Sequence, residues 1–321
     1  MPIEFAQKLN ALGQKKEPFF FAIDFEQTHG VVFALKTIPS TILYDVEGKT
    51  NAPQKLTCKT PSLLARRWMD KKQYVKAFER VIEEIKSGNT YLLNLTFPTP
   101  VVLKGSLEEV FYASEAPFKC CFQDQFVCFS PERFVRIEGE CISTYPMKGT
   151  IDASIENAKS IILSDEKEMA EHVMVVDLLR NDLSKVSQNV RVEAFRYLQT
   201  CYAGSKELLQ VSSHIAGDLS PHWHESIGDI LTSLLPAGSI SGTPKRSSTQ
   251  IIKEVEGYER GFFTGIFGVY DGETFDSGVM IRFLEQTEEG MVFKSGGGIT
   301  LLSDAQKEYD ELCAKVYIPV H

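Results

Sequence analysis

The sequence predicts an α+β fold built on antiparallel sheet, and three observations carry that expectation. Strand-like runs (PFFFAIDFE, NTYLLNLTF, FVRIEGECIST, GVMIRFLE, MVFKSGG) are separated by helical segments without strict alternation, which argues against a parallel βαβ build. The stretch SPERFVRIEGECISTYPMKGT reads as two strands folded back around Glu138-Gly139-Glu140. No low-complexity linker and no repeat divides the 321 residues, so residues 1–73 are expected to be a short N-terminal part integrated with the main body, 74–321.

Taken in chain order, the first helix runs on from Tyr74, where Phe78, Val81, Ile82 and Ile85 keep an apolar stripe and Gly88 supplies a stop. In the hairpin, a turn at 138–140 makes paired residue numbers sum to about 278, so Glu132 faces position 146 and lies near Lys148. Taken alone, that pair reads first as an ordinary cross-strand ion pair and only second as a shared site. The second helix begins near Glu166 and is striped by Met169, Val173, Val176, Leu179 and Leu183. The third starts at Ser303, where Ser303 and Gln306 match a capping box before KEYDELCAK.

Composition excludes several classes. A net charge of −9 and a pI near 5.3, with no block of Lys and Arg, argue against a nucleic-acid surface, so an anionic ligand requires a locally positive site. Seven cysteines without a C-x-x-C suggest neither a disulfide framework nor a zinc site. The start, MPIEFAQKLNALGQKK, lacks the pattern of a leader, and no apolar run approaches the ~18 residues of a membrane span; a cytoplasmic location without a membrane partner is expected.

On the second helix Glu168 and Glu171 stand three apart, and on the third Glu308 and Glu311 do the same, with Lys315 four further on, so each helix offers two carboxylates to one side. One E-x-x-E alone usually marks solvated surface; two of them beside glycine-rich turns form a stronger pattern. An oxygen-only set suits a hard cation, Mg²⁺, and EMAEH has neither the order of a zincin nor the Glu-x-x-His of di-iron bundles. PAGSISGTPK, 236–245, reads as a glycine loop opening a helix, with Pro244 in the first turn and free N–H groups for an anion, but it is no Walker A loop. SGGGIT, 295–300, permits either a close ligand or a tight bend. Arg282 closes the apolar run SGVMIR, either as a surface residue or as a bidentate carboxylate clamp.

SPERF, PMKGT, KEMAEHVMVVDLLRNDLSKV, PAGSISGTPK, RGFFTGIFG, VMIRF, GGGIT and KEYDELCAK follow one another between about Tyr74 and Lys315. In that order the sequence resembles the chorismate-utilising enzymes: the catalytic subunits of anthranilate synthase and aminodeoxychorismate synthase, and the isochorismate and salicylate synthases. The resemblance implies a two-sheet antiparallel β-sandwich with peripheral helices, 74–321 being the chorismate-binding catalytic region, and Mg²⁺ held against the C1 carboxylate of chorismate. It implies Glu171 and Glu311 as metal ligands, supported by Glu168 and Glu308. It also implies Gly149, Thr150, Ser239, Arg282, the amides of Gly296 and Gly298, and Lys315 as substrate contacts, with His214 of SSHIAG as an active-site histidine.

Lys148 separates the members of that family. Its third position in PMKGT resembles the aminodeoxychorismate synthases, where lysine is the nucleophile, and not the members with alanine there. The implied reaction is Mg²⁺-dependent amination of chorismate at C4 through a covalent lysine adduct, Glu132 acting as the acid, to give 4-amino-4-deoxychorismate for p-aminobenzoate and folate synthesis. Attack requires the neutral amine, which desolvation and a nearby cation favour and an ionised Glu132 opposes. No cysteine sits in a G-x-C-x-G setting, so ammonia is expected from a separate glutamine amidotransferase subunit. The alternatives are anthranilate synthase component I, or a catalytically idle chorismate-binding partner of a glutaminase. Leu92 stands where water-using members have lysine, Phe263 where many relatives have tyrosine, and the short N-terminal part lacks an LLES-type segment for tryptophan.

Overall fold

Residues 3–54, 60–122, 124–203 and 206–320 are described by the structure, a computed structural model. Cys58 lies outside them; Cys120, Cys121, Cys128, Cys141, Cys201 and Cys313 are free thiols. Among the described residues, two nine-stranded antiparallel sheets carry the fold, with helices at the periphery. The first runs in the order Met147–Asp152, Lys206–Asp218, Cys141–Thr144, Arg133–Glu138, Phe275–Val279, Ile266–Tyr270, Phe19–Ile23, Gly30–Ala34, and Gln188–Ala203 also pairs with Lys206–Asp218. The second runs Gly242–Thr243, Leu92–Lys104, Gly290–Ile299, Phe283–Thr287, Phe126–Ser130, Phe118–Phe122, Ile42–Val46, Lys49–Thr50, and Ser62–Arg66 also pairs with Leu92–Lys104. The architecture is thus the expected α+β double sheet, and residues 1–73 feed strands into both sheets.

Strand parity explains how the sheets pack. Phe20 and Ala22, with Phe267 of their own sheet, turn toward the second sheet and meet Tyr44, Phe118, Phe122, Phe126 and Phe283 in one aromatic core. Phe19, Phe21 and Ile23 face the other way, into the core shared with the helices Ile3–Gln14, Lys71–Lys86, Glu166–Leu183 and Ile227–Leu234. Both faces of Phe19–Ile23 are therefore buried, which is why this strand reads as a continuous apolar run. On the outer face of the second sheet, Val127, Phe129, Leu284 and Phe293 pack beneath the helix Leu107–Ala113.

Several local expectations shift. The hairpin turn has two residues, not three: Cys141 pairs with Glu138 and Ile142 with Ile137, one step out of the expected register. A one-residue slip exchanges the two faces of a strand, so cross-strand pairing is not what brings Glu132 and Lys148 together. After Thr144 the chain breaks at Tyr145-Pro146, and Met147–Asp152 pairs with Lys206–Asp218 instead. Of the three expected helices, the one expected from Tyr74 starts at Lys71, capped by Asp70, and the last is capped by Asp304, whose side chain accepts from the amide of Lys307, rather than by Ser303; Ile3–Gln14 is a further helix ahead of them. Gly296, Gly297 and Gly298 lie inside the strand Gly290–Ile299 and make no bend.

Candidate active site

A cavity of about 260 Å³ is lined by residues of both sheets, of the loop 236–241 and of the last helix. Met147–Asp152 brings Lys148 to it; Leu92–Lys104 and Gly290–Ile299 bring Asn94 and the glycine run. A Cβ added to Gly298 would stand 3.1 Å from Lys148 Nζ and 3.9 Å from Leu92 Cδ1, so the absent side chain makes the room in which the lysine ends. Gly149 has a left-handed backbone (φ 84°), and a Cβ there would meet Glu168 Oε2 at 3.2 Å. Glycine therefore lets the helix Glu166–Leu183 close on the lysine strand.

Glu132 lines the cavity, and Ser239 donates a hydrogen bond to its carboxyl. Burial pushes the Glu132 carboxyl above the ordinary carboxylate range, against the opposing pull of Ser239, Lys148 and Lys315. Lys148 Nζ lies 3.9 Å from Glu171 Oε2. Lys315 Nζ is 2.6 Å from Glu311 Oε1 and donates to the Gly296 carbonyl at 2.8 Å; burial pushes its ammonium down while Glu311 holds it up. Arg282 donates from Nη1 to the Lys315 carbonyl at 3.0 Å, and burial pushes its guanidinium down as well. Its backbone is left-handed (φ 53°), as is that of Thr264 (φ 62°), and both residues line the cavity.

The sequence-derived candidates are therefore largely brought together. Lys148, Glu132, Gly149, Thr150, Ser239, Arg282, Gly296, Gly298, Lys315 and Glu311 all line the cavity. Glu171 and Glu308 are buried at its edge, Glu171 against Lys148 and Glu308 with its Oε2 3.5 Å from a Cβ position on Gly297. His214 is placed apart: it stacks on Tyr145 at 4.6 Å, its Nε2 lies 3.1 Å from Ser143 Oγ, and Gln210, four residues earlier on the same strand, lines the cavity in its stead. Pro244 and Lys245, at the start of the helix that follows the glycine loop, are not lining residues either; Lys245 is turned to Asp182 at 2.6 Å. Asn94, Thr264 and Lys294 were not anticipated. A signal existed only for Lys294, a lysine set in the apolar strand MVFKSGG.

Among the described residues no three His, Cys, Asp or Glu side chains converge closely enough to form an all-protein metal cage. The carboxylates on the two acidic helices are oxygen donors of the kind Mg²⁺ takes, one or two at a time, with water and substrate oxygens completing its octahedron. The carboxylate pairs fit that cation and not one that prefers nitrogen or sulfur.

The model of the chorismate binding enzymes matches residues 13–320. The chain belongs to this family. An uncharacterized PabA-like protein of Haemophilus influenzae is 47% identical over 320 residues, which cover 98% of this chain and 96% of that one. The aminodeoxychorismate synthase component 1 of Escherichia coli is 30% identical over 263 residues, 77% of this chain; the match spans only 57% of that longer protein. The same fold occurs in the menaquinone-specific isochorismate synthase MenF of Escherichia coli, with a TM-score of 0.74 at 16% identity, covering 97% of this chain and 79% of that one.

Proposed function

We propose that this chorismate-binding enzyme is component I of an aminodeoxychorismate synthase, aminating chorismate at C4 to give 4-amino-4-deoxychorismate. The observation that carries this reading is the placement of Lys148: its amine ends inside the cavity, in the space left by Gly298 and 3.9 Å from Glu171, in the same cavity as the carboxyl of Glu132. The Lys148 amine adds to C2 of chorismate; both ring double bonds shift, from C1=C2 and C5=C6 to C1=C6 and C4=C5, and the C4–O bond breaks. Glu132, whose protonated form burial favours and which Ser239 orients, gives its proton to the departing hydroxyl, which leaves as water. Ammonia then adds at C4, the two double bonds return, the Lys148 amine is expelled, and the new C4 ammonium gives a proton back to Glu132.

Arg282, Lys315 and the amides of the glycine strand hold the substrate carboxylates. Glu171 and Glu311 would hold Mg²⁺, with Glu168 and Glu308 supporting them, and the bound cation would supply positive charge to a substrate carboxylate. Ammonia comes from a separate glutamine amidotransferase subunit, and the product serves p-aminobenzoate and folate synthesis. Leu92, buried beside Lys148, offers no base to activate water, which favours amination over hydroxylation of the ring.

The test is to incubate the protein with chorismate, Mg²⁺ and ammonium and to identify the product by mass. Aminodeoxychorismate from the wild type, with Lys148→Ala reduced by several orders of magnitude yet still binding chorismate, is the expected result. Anthranilate as the product would overturn the reading.

A further inference from the structure

The reaction sequence above gives no task to Lys294, although it lines the cavity and is only 5% exposed. It stands on Gly290–Ile299 two positions before Gly296, on the strand face that carries Gly296 and Gly298. Its register partner across the sheet is Phe283, the residue after Arg282. The Phe283 ring lies 5.8 Å from that of Phe263, another lining residue. Lys294, Phe263 and Arg282 thus gather at one buried end of the cavity.

Its bonding leaves capacity unused. An ammonium has three N–H donors. Lys294 Nζ donates one to the Arg260 carbonyl at 2.9 Å and directs another at Glu285 Oε2, 2.7 Å away, with the rings of Tyr258 and Phe283 alongside at 5.5 and 5.8 Å. Glu285 is an incomplete partner, because its side chain is 26% exposed and shares its charge with water. The contrast with Arg260 directly behind is instructive: that guanidinium is fully buried and held by both oxygens of an equally buried Glu256, at 2.6 and 2.8 Å. The partner of Arg260 is sealed in the core, whereas the partner of Lys294 reaches solvent.

The balance of charge in the cavity points the same way. Lys148, Arg282, Lys294 and Lys315 line it with the carboxyls of Glu132 and Glu311, while Glu171 and Glu285 reach Lys148 and Lys294 from its edge. Four cationic side chains spread along the lining can meet a dianion at two points, which a monoanion cannot use.

Resting on the chorismate reading, we propose that Lys294 is a substrate-binding and specificity-determining residue that takes the side-chain carboxylate of chorismate together with Arg282, its third N–H supplying the donor that Phe263 lacks. A cation here ties the substrate's second carboxylate to the floor of the cavity, on the Arg282 side and away from the Lys148 amine, and selects dicarboxylates over monocarboxylates.

The experiment is calorimetric titration of the full chain with chorismate, and with chorismate carrying a methyl ester on the side-chain carboxylate, both in Mg²⁺ buffer. Lys294→Met and Lys294→Gln, the latter keeping a donor toward Arg260, are compared with Glu285→Gln. For the lysine variants the expectation is a rise of roughly ten- to a hundredfold in Kd and KM for chorismate, kcat within a few-fold of wild type, and collapse of the preference for acid over ester. Glu285→Gln should bind chorismate as well as wild type or better. Wild-type affinity and preference in the lysine variants would overturn the assignment. So would equal losses in the Lys294 and Glu285 variants that track a fall in Tm, because that is what a purely structural ion pair produces. Failure of the wild type to bind chorismate would instead overturn the functional reading, and this inference with it.

Discussion

At one end of the space between the sheets, Phe122, Phe126, Phe262 and Phe283 stack ring on ring with centroids 4.7 to 5.7 Å apart. At the other, reached through the same Phe283, four cations and two carboxyls share a small cavity whose strand wall is glycine. The same two sheets frame both ends, yet the energetics are opposite. Fully burying each phenylalanine contributes about 1.5–3 kcal/mol, with a further increment from ring geometry. Burying charged groups at the other end costs desolvation, which the pairs of Lys148, Lys294 and Lys315 with Glu171, Glu285 and Glu311 offset only in part. The comparison teaches that one end holds the sheets together so that the other can remain underpacked and charged.

That division is tested most severely by Glu132→Gln. It should lower kcat by about 10²–10⁴-fold while leaving Tm nearly unchanged, as thermal melts and turnover measured side by side would report. The converse substitution, Phe126→Ala, should lower unfolding stability by roughly 3–5 kcal/mol in denaturant titrations, with kcat near wild type in the fraction that stays folded. A drop in activity from Phe126→Ala without a drop in stability would break the contrast. Gly298→Ala sharpens it: the new Cβ meets only the mobile end of Lys148, so stability should hold while activity falls about ten- to a hundredfold through displacement of the amine.

The smallest effect is the pH dependence of folding. A carboxyl raised in the folded state binds its proton more tightly there than in the unfolded chain. Glu132 thus contributes stability that is present at low pH and lost as pH rises from the ordinary carboxylate range through its raised pKa. Denaturant midpoints should show this gentle decline in the wild type and less of it in Glu132→Gln. Over the upper part of that range kcat should fall as the proton donor ionises.

Legibility in the sequence followed the range of the interactions. The two E-x-x-E pairs, set by helical periodicity alone, could be located before any tertiary structure was known, and so could the helices that carry them. The neighbourhood of Glu132 and Lys148 was legible for an incomplete reason, since it depends on a break at Tyr145-Pro146 and on a strand that leaves the hairpin for Lys206–Asp218. His214 and Gln210 share strand parity about 13 Å apart, and periodicity alone cannot say which of them the cavity reaches. Lys294 and Glu285 form a diagonal pair across two strands, a relation fixed by register that no local pattern encodes. The cap at Asp304 in place of Ser303 is the ordinary one-residue ambiguity of helix ends.

Between Val279 and Phe283 the chain leaves the first sheet and enters the second, and Arg282, with its left-handed backbone, is the last residue of that passage. The crossing is one of several covalent seams between the two layers, and this one opens onto the cavity. Any breathing of the layers against each other must therefore pull on the guanidinium directly. A ligand that grips Arg282 acts as a stitch across the sandwich, and chorismate should slow hydrogen exchange in strands on both sides of the seam, well beyond the residues it touches.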